Sequence, residues 1–208
     1  MKTDWIGLCV ALGFVFSCKK EPEPLGTAPT LAPSSEFHTV PPVAIPAPVT
    51  STAAVATREL TWDAPPSWVR LPAQSGMRKA TYRIPRAKAD SDEAELAVFH
   101  FGAGQGGSIE ANVSRWTNQF PGVKPKEVRR EERSANGRLQ HIVKIESATY
   151  SSGMPGGPSE AKSGWGLLGA IVEDPNGAYF FKLTGPTLTL KSAEKAFYQM
   201  LDSIKSSG

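Results

Sequence analysis

FHFGAGQGGSIEANVSRW, residues 99–116, joins a strand-like run to a helix-like run through Gly102-x-Gly104-x-x-Gly107. Turns that cradle a dinucleotide pyrophosphate share that spacing, so its reading decides the fold. In a dinucleotide fold the helix leads into a second parallel strand, which ends in an acidic residue for the ribose. Here the helix leads to a charged segment, KEVRREERSANGRLQHIVKIESATY (126–150), with Asn136-Gly137 in its middle. Asn-Gly between strand-like runs is the strongest short hairpin signal. The sheet is therefore expected to be antiparallel, and the glycines to let the chain leave a strand, turn and start a helix. One further use stays open. Free N–H groups at a helix start can hold an anion, and Gly104, Gly106, Gly107, Asn112 and Arg115 are the candidate ligand-binding residues for that role. Asn112 lies three positions before Arg115 and four before Trp116, so the trio shares one side of a helix. The plainer use has Trp116 in the core, Asn112 bonding the glycine loop and Arg115 pairing with a carboxylate.

Outward from this stretch the pattern is regular. Ser108 is a plausible N-cap, and Ile109, Val113, Trp116 and Phe120 recur at helical spacing, predicting a helix over 108–120. Upstream, residues 77–85 alternate as a strand, and residues 95–101 are apolar at both parities, as in a central strand. Before them, Trp62 and Trp68 flank a Pro65-Pro66 corner as two aromatic anchors. Downstream, the dense charge on the first arm of the Asn136-Gly137 hairpin suits an exposed edge strand. SSGMPGGPSEAKSG (151–164) reads as a long flexible loop. A second hairpin turns at Asp174-Pro175-Asn176-Gly177. LKSAEKAFYQMLDSI (190–204) closes the chain as an amphipathic helix with Ala193, Phe197, Met200, Leu201 and Ile204 inward. These elements predict an α+β domain: about six or seven antiparallel strands with two helices packed on the sheet, both covering one face.

That order resembles the Mog1/PsbP-like fold, through the entry APPSW (64–68), the helix after a central strand, the hairpins and the terminal helix. The pattern FGAGQGG...N..RW..QF, with FFKLTGP before the last helix, is similar to a family of uncharacterised bacterial envelope lipoproteins, over Trp62 to Ile204. The resemblance implies the fold and is silent on activity, because one fold hosts unrelated roles.

The N-terminus points to export. MKTDWIGLCVALGFVFSCKK places an apolar run, Trp5 to Phe16, after Lys2. The run is too short to span a bilayer and fits the apolar region of a signal peptide. Val15-Phe16-Ser17-Cys18 resembles the lipobox of bacterial lipoproteins. The resemblance implies cleavage before Cys18 and acylation, with palmitate or a similar chain, of its sulfur and new amine. Each buried CH₂ then adds about 0.8 kcal/mol to anchoring. Lys19, rather than Asp, favours the outer membrane by the same resemblance. Residues 19–58 are rich in Pro, Ala, Thr and Glu, a composition that cannot repay ordering entropy. The expected organisation is a signal peptide (1–17), a lipidated Cys18 with a disordered tether (18–58), and one α+β domain (59–208).

Composition narrows the function. The 2 cysteines, Cys9 and Cys18, both lie in the export segment, so the domain carries no disulfide, thiolate metal site or Cys nucleophile. The net charge of +3 is too mild for nucleic-acid binding, which needs a clustered basic face. Ser159-x-x-Lys162 and Ser134-x-Asn136 imitate two motifs of penicillin-binding enzymes. Their order is reversed, however, and Asn136 is better used in a turn. His100 and His141 lack a second ligand at metal spacing and read as structural. The charged run 124–133 reads as a solvated face. No nucleophile–base–orienter set emerges, and no cofactor or metal is implied. The expectation is a non-enzymatic binding or assembly module of the cell envelope, held at the membrane through its lipid and facing the periplasm, with an envelope protein as partner. The alternative is a small-molecule or anion binder that uses the glycine-rich turn.

Overall fold

Two hairpins and their neighbours assemble into one seven-stranded antiparallel sheet. The computed structural model describes residues 58–72, 76–151 and 160–207. The signal peptide, Cys18 and the expected tether up to residue 57 lie outside them, as does most of the expected flexible loop, residues 152–159. In chain order the strands are β1 (Leu60–Thr61), β2 (Val69–Arg70), β3 (Arg78–Ile84), β4 (Ala94–His100), β5 (Arg129–Ala135), β6 (Arg138–Ser151), β7 (Ala161–Val172), β8 (Tyr179–Pro186) and β9 (Lys205–Ser206). Helix α1 (Ile109–Thr117) follows β4, and α2 (Thr187–Asp202) follows β8. The sheet order is β2-β3-β4-β8-β7-β6-β5, while β1 pairs separately with β9.

The hairpins form for local reasons. Asn136 and Gly137 both take positive φ, 51° and 72°, as the tight turn matching strand twist requires. Strand β5, paired on one side only, exposes Arg129 to Glu132. Strand β4 is paired on both sides, with Leu96, Ala97 and Val98 all buried.

The expected α+β class, antiparallel sheet and two packed helices are present, but the helices do not share a face. Neighbouring residues of β7 divide between two clusters. Leu168, Ala170 and Val172 join Leu190, Phe197, Met200 and Leu201 of α2. Leu167 and Ile171 join Val113 and Trp116 of α1, together with Phe120. Phe181 and Phe180 of β8 split in the same way. Because successive strand residues point to opposite faces, the domain is α1, sheet, α2 in three layers, not a two-layer sandwich. Trp116 packs so close to the sheet that a Cβ on Gly169 would stand 2.5 Å from its ring.

Helix α1 is also shorter than its apolar stripe. It stops at Thr117, and Phe120 reaches the core from the following turn, 2% exposed. Strands β6 and β7 run further into the expected loop than composition implies, to Ser151 and from Ala161. Both tryptophan anchors hold: Trp68 is buried, and Trp62 donates from Nε1 to the Tyr82 hydroxyl at 3.0 Å.

Candidate functional site

The glycine-rich stretch leaves β4 and starts α1, as its composition predicts. Gly102, Gly104, Gly106 and Gly107 all have positive φ, from 70° to 94°. At Gly106 the constraint is also spatial, since a Cβ there would stand 2.9 Å from the rings of Phe101 and Phe180. Ser108 caps the helix, accepting from the Ala111 amide at 3.2 Å.

Gly106, Asn112 and Arg115 do meet. Asn112, 2% exposed, donates from Nδ2 to the carbonyls of Gly106 (2.8 Å) and Ser108 (2.9 Å). Its Oδ1 accepts from Arg115 Nη1 at 2.8 Å. Both amide protons and the side-chain oxygen are thus engaged within the loop and helix, and Arg115 pairs with an amide rather than a carboxylate. Gly104 and Gly107 leave open space or ordinary contact at their Cβ positions. Glu110, in the first turn, opposes an anion there and pairs with Arg130 at 2.8 Å. The polar side chains of Asn112 and Arg115 are thus spent within the loop and helix. Phosphate, sulfate or a mononucleotide is therefore expected to produce no saturable rise in melting temperature. A saturable rise that disappears in Arg115→Ala would restore the anion site.

A second constellation, which no sequence motif marks, lies on the α1 face beyond the end of that short helix. Lys182 sits in β8 and donates from Nζ to Gln119 Oε1, and it lies 5.7 Å over the Tyr150 ring. Tyr150 stacks on Trp165 at 5.4 Å, and Lys162 lies 4.7 Å over Trp165. Arg78 bonds Glu95 and covers Phe99 at 5.4 Å. Burial, opposed by Glu95 and reinforced by Arg78, pulls the Lys182 amine down to about 8. Burial pushes the Tyr150 phenol up, against a hydrogen bond to Thr184. The available signal was a lysine inside the apolar run Phe180–Leu183.

A depressed amine makes folding favour the neutral form. Its contribution is fully present above 10.5, the unfolded value, and is lost as pH falls toward 8. Compared with Lys182→Met, the wild-type chain is expected to gain on the order of 2 kcal/mol over that window, allowing for screening of a partly exposed amine. Urea melts of both chains across that range check it, and parallel pH profiles would refute it.

The other sequence candidates have structural partners. His100 stacks on Tyr179 at 4.1 Å, and its Nδ1 lies 3.3 Å from the Ala178 carbonyl. His141 contacts Glu132 through Nδ1 (3.2 Å) and Glu173 through Nε2 (2.7 Å). These carboxylates engage different ring nitrogens, and among the described residues no such group is arranged to hold a metal ion. Lys162 pairs with Asp92 at 3.7 Å, while Ser159 lies outside the described residues. Asn136 donates to the carbonyls of Asp202 (2.6 Å) and Ile204 (3.1 Å), so the turn also fastens the end of α2. In the charged run, Arg129, Arg130 and Arg133 pair with Glu146, Glu110 and Asp202.

No protein-family model matches the chain, and no curated protein matches it either. Among solved structures it is similar to a Pseudomonas aeruginosa protein of unknown function, at 14% identity and a TM-score of 0.43, covering 72% of this chain and 98% of that one. It is also similar to the solution structure of cyanobacterial PsbP (CyanoP) from Synechocystis sp. PCC 6803. There the identity is 12% and the TM-score 0.43, over 77% of this chain and 99% of that one.

Proposed function

We propose that this chain is a lipoprotein of the bacterial cell envelope whose folded domain is a non-enzymatic binding or assembly module. One observation carries the anchor: an apolar run too short to span a bilayer ends in Val15-Phe16-Ser17-Cys18. The segment after Cys18, rich in Pro and Ala, suits a tether between membrane and domain. At about 3.1 Å per residue, ~40 residues would reach on the order of 120 Å when extended. Lys19 favours the outer membrane, with the domain in the periplasm and an envelope protein as its partner. Asn112 is spent on the glycine turn's own carbonyls, which supports a structural use of that motif.

The anchor is tested with Cys18→Ala. The variant should remain uncleaved by the lipoprotein signal peptidase and take up no labelled palmitate. Palmitate incorporation equal to wild type would overturn the reading. Crosslinking in intact envelopes, followed by purification through the wild-type chain, then identifies the protein partner.

A further inference from the structure

The geometry points to a binding pocket for a small carboxylate-bearing molecule at the corner where β1, β2, β3 and β8 meet, with Glu59 holding the ligand's place. The inference goes beyond the lipoprotein reading and does not rest on it. The pocket encloses about 260 Å³ and is lined by Glu59, Trp62, Arg70, Lys79, Tyr82 and Tyr179, among others. That volume suits a molecule the size of an amino acid or a short dicarboxylate.

Two buried phenols supply the donors. Tyr82 and Tyr179 are 4% and 2% exposed. Tyr82 accepts from Trp62 Nε1 at 3.0 Å, and Tyr179 accepts from the Leu60 amide at 3.1 Å. Both of those partners are N–H groups, which only donate, so each phenol keeps its own proton. Neither proton is given to a described residue. Burial pushes the Tyr179 phenol up, so it stays protonated at neutral pH. Buried donors of this kind select against ligands that lack an acceptor.

Two cations supply the charge. Arg70 faces Tyr82 across the β2–β3 ladder and lines the same pocket. Lys79 sits at an irregularity in β3, where the register steps between Arg78 and Ala80. Bulges of this kind re-aim a side chain, and here Lys79 reaches Glu59, 2.7 Å away. Glu59 is 59% exposed at its side chain, and the bond to Lys79 is the chief cause that lowers its carboxyl. An exposed carboxylate held by a lysine in a pocket lined by two buried phenols is what a bound carboxylate would look like. Because exposed ion pairs are worth little, an incoming carboxylate can replace Glu59 at small cost.

The test uses the full chain in detergent, at fixed ionic strength and neutral pH, titrated calorimetrically with succinate, L-glutamate and inorganic phosphate. At least one carboxylate is expected to bind saturably, tenfold or more weakly in Lys79→Met and threefold or more tightly in Glu59→Gln. Arg70→Gln, at an exposed position, serves as the second charge removal if Lys79→Met melts early. Silence toward both carboxylates in wild type and in Glu59→Gln would overturn the site. So would carboxylate binding unchanged by loss of either cation, or phosphate binding as tight as the carboxylates.

Discussion

Gly177→Ala is expected to destabilise the domain by about 3 kcal/mol, the combined cost of backbone strain and overpacking. Gly177 has φ 108°, a conformation that side chains rarely adopt. A Cβ there would also stand 2.3 Å from the carbonyl oxygen of Gly102 and 2.5 Å from its carbon. Those are backbone atoms, which cannot swing aside. The turn between β7 and β8 therefore rests directly on the glycine-rich stretch. Gly104→Ala is the control: φ is 70° but nothing lies within 4 Å of its Cβ, so only strain of ~1–2 kcal/mol applies. Urea melts should show a lower midpoint for both with an unchanged slope. Equal losses in the two variants would contradict the close approach.

Phe197→Ala should cost about 3–5 kcal/mol, because a fully buried ring leaves both transfer energy and a cavity behind. Phe197 is 0% exposed, on the inward face of α2. Trp116→Ala should cost a similar amount from the opposite layer, where the indole covers Gly169. The milder pair Phe197→Leu and Trp116→Phe tests the layering. Their effects should add within about 0.5 kcal/mol, since the sheet separates the sites. A coupling well above that would mean the rings share one core. The measurement is a double-mutant cycle by denaturant unfolding.

Much of this fold is local, and the local parts were legible. Asn136-Gly137 turns a hairpin because both positions need positive φ. Ser108 caps α1 because its hydroxyl reaches an amide one turn on. Asn112 and Arg115 meet because three residues of helix bring them to one side. The closing helix buries the stripe that its spacing marks, and it starts at Thr187, earlier than that stripe. The glycine spacing imitated a dinucleotide site because such a site also needs a sharp turn into a helix. What followed the helix separated the two.

Helical periodicity shows that a helix has a buried side, but not which face of the sheet it covers. Apolar residues at both parities in β7 and β8 carried that information, since both faces then need cover. The pairing of β1 with β9 joins residues about 145 positions apart through two short strands, Leu60–Thr61 and Lys205–Ser206, too short to show a pattern. Lys182 read as one charge in an apolar strand, and only the sheet set it beside Gln119 and Tyr150. The corner pocket draws on Glu59, Arg70, Lys79, Tyr82 and Tyr179. Sequence alone determined the class, the antiparallel sheet, the hairpins and the glycine turn into α1, because those follow from dihedral preference and spacing within a few residues. Only tertiary structure decided the layering, the buried lysine and the pocket, because strand register brings together residues that no spacing relates.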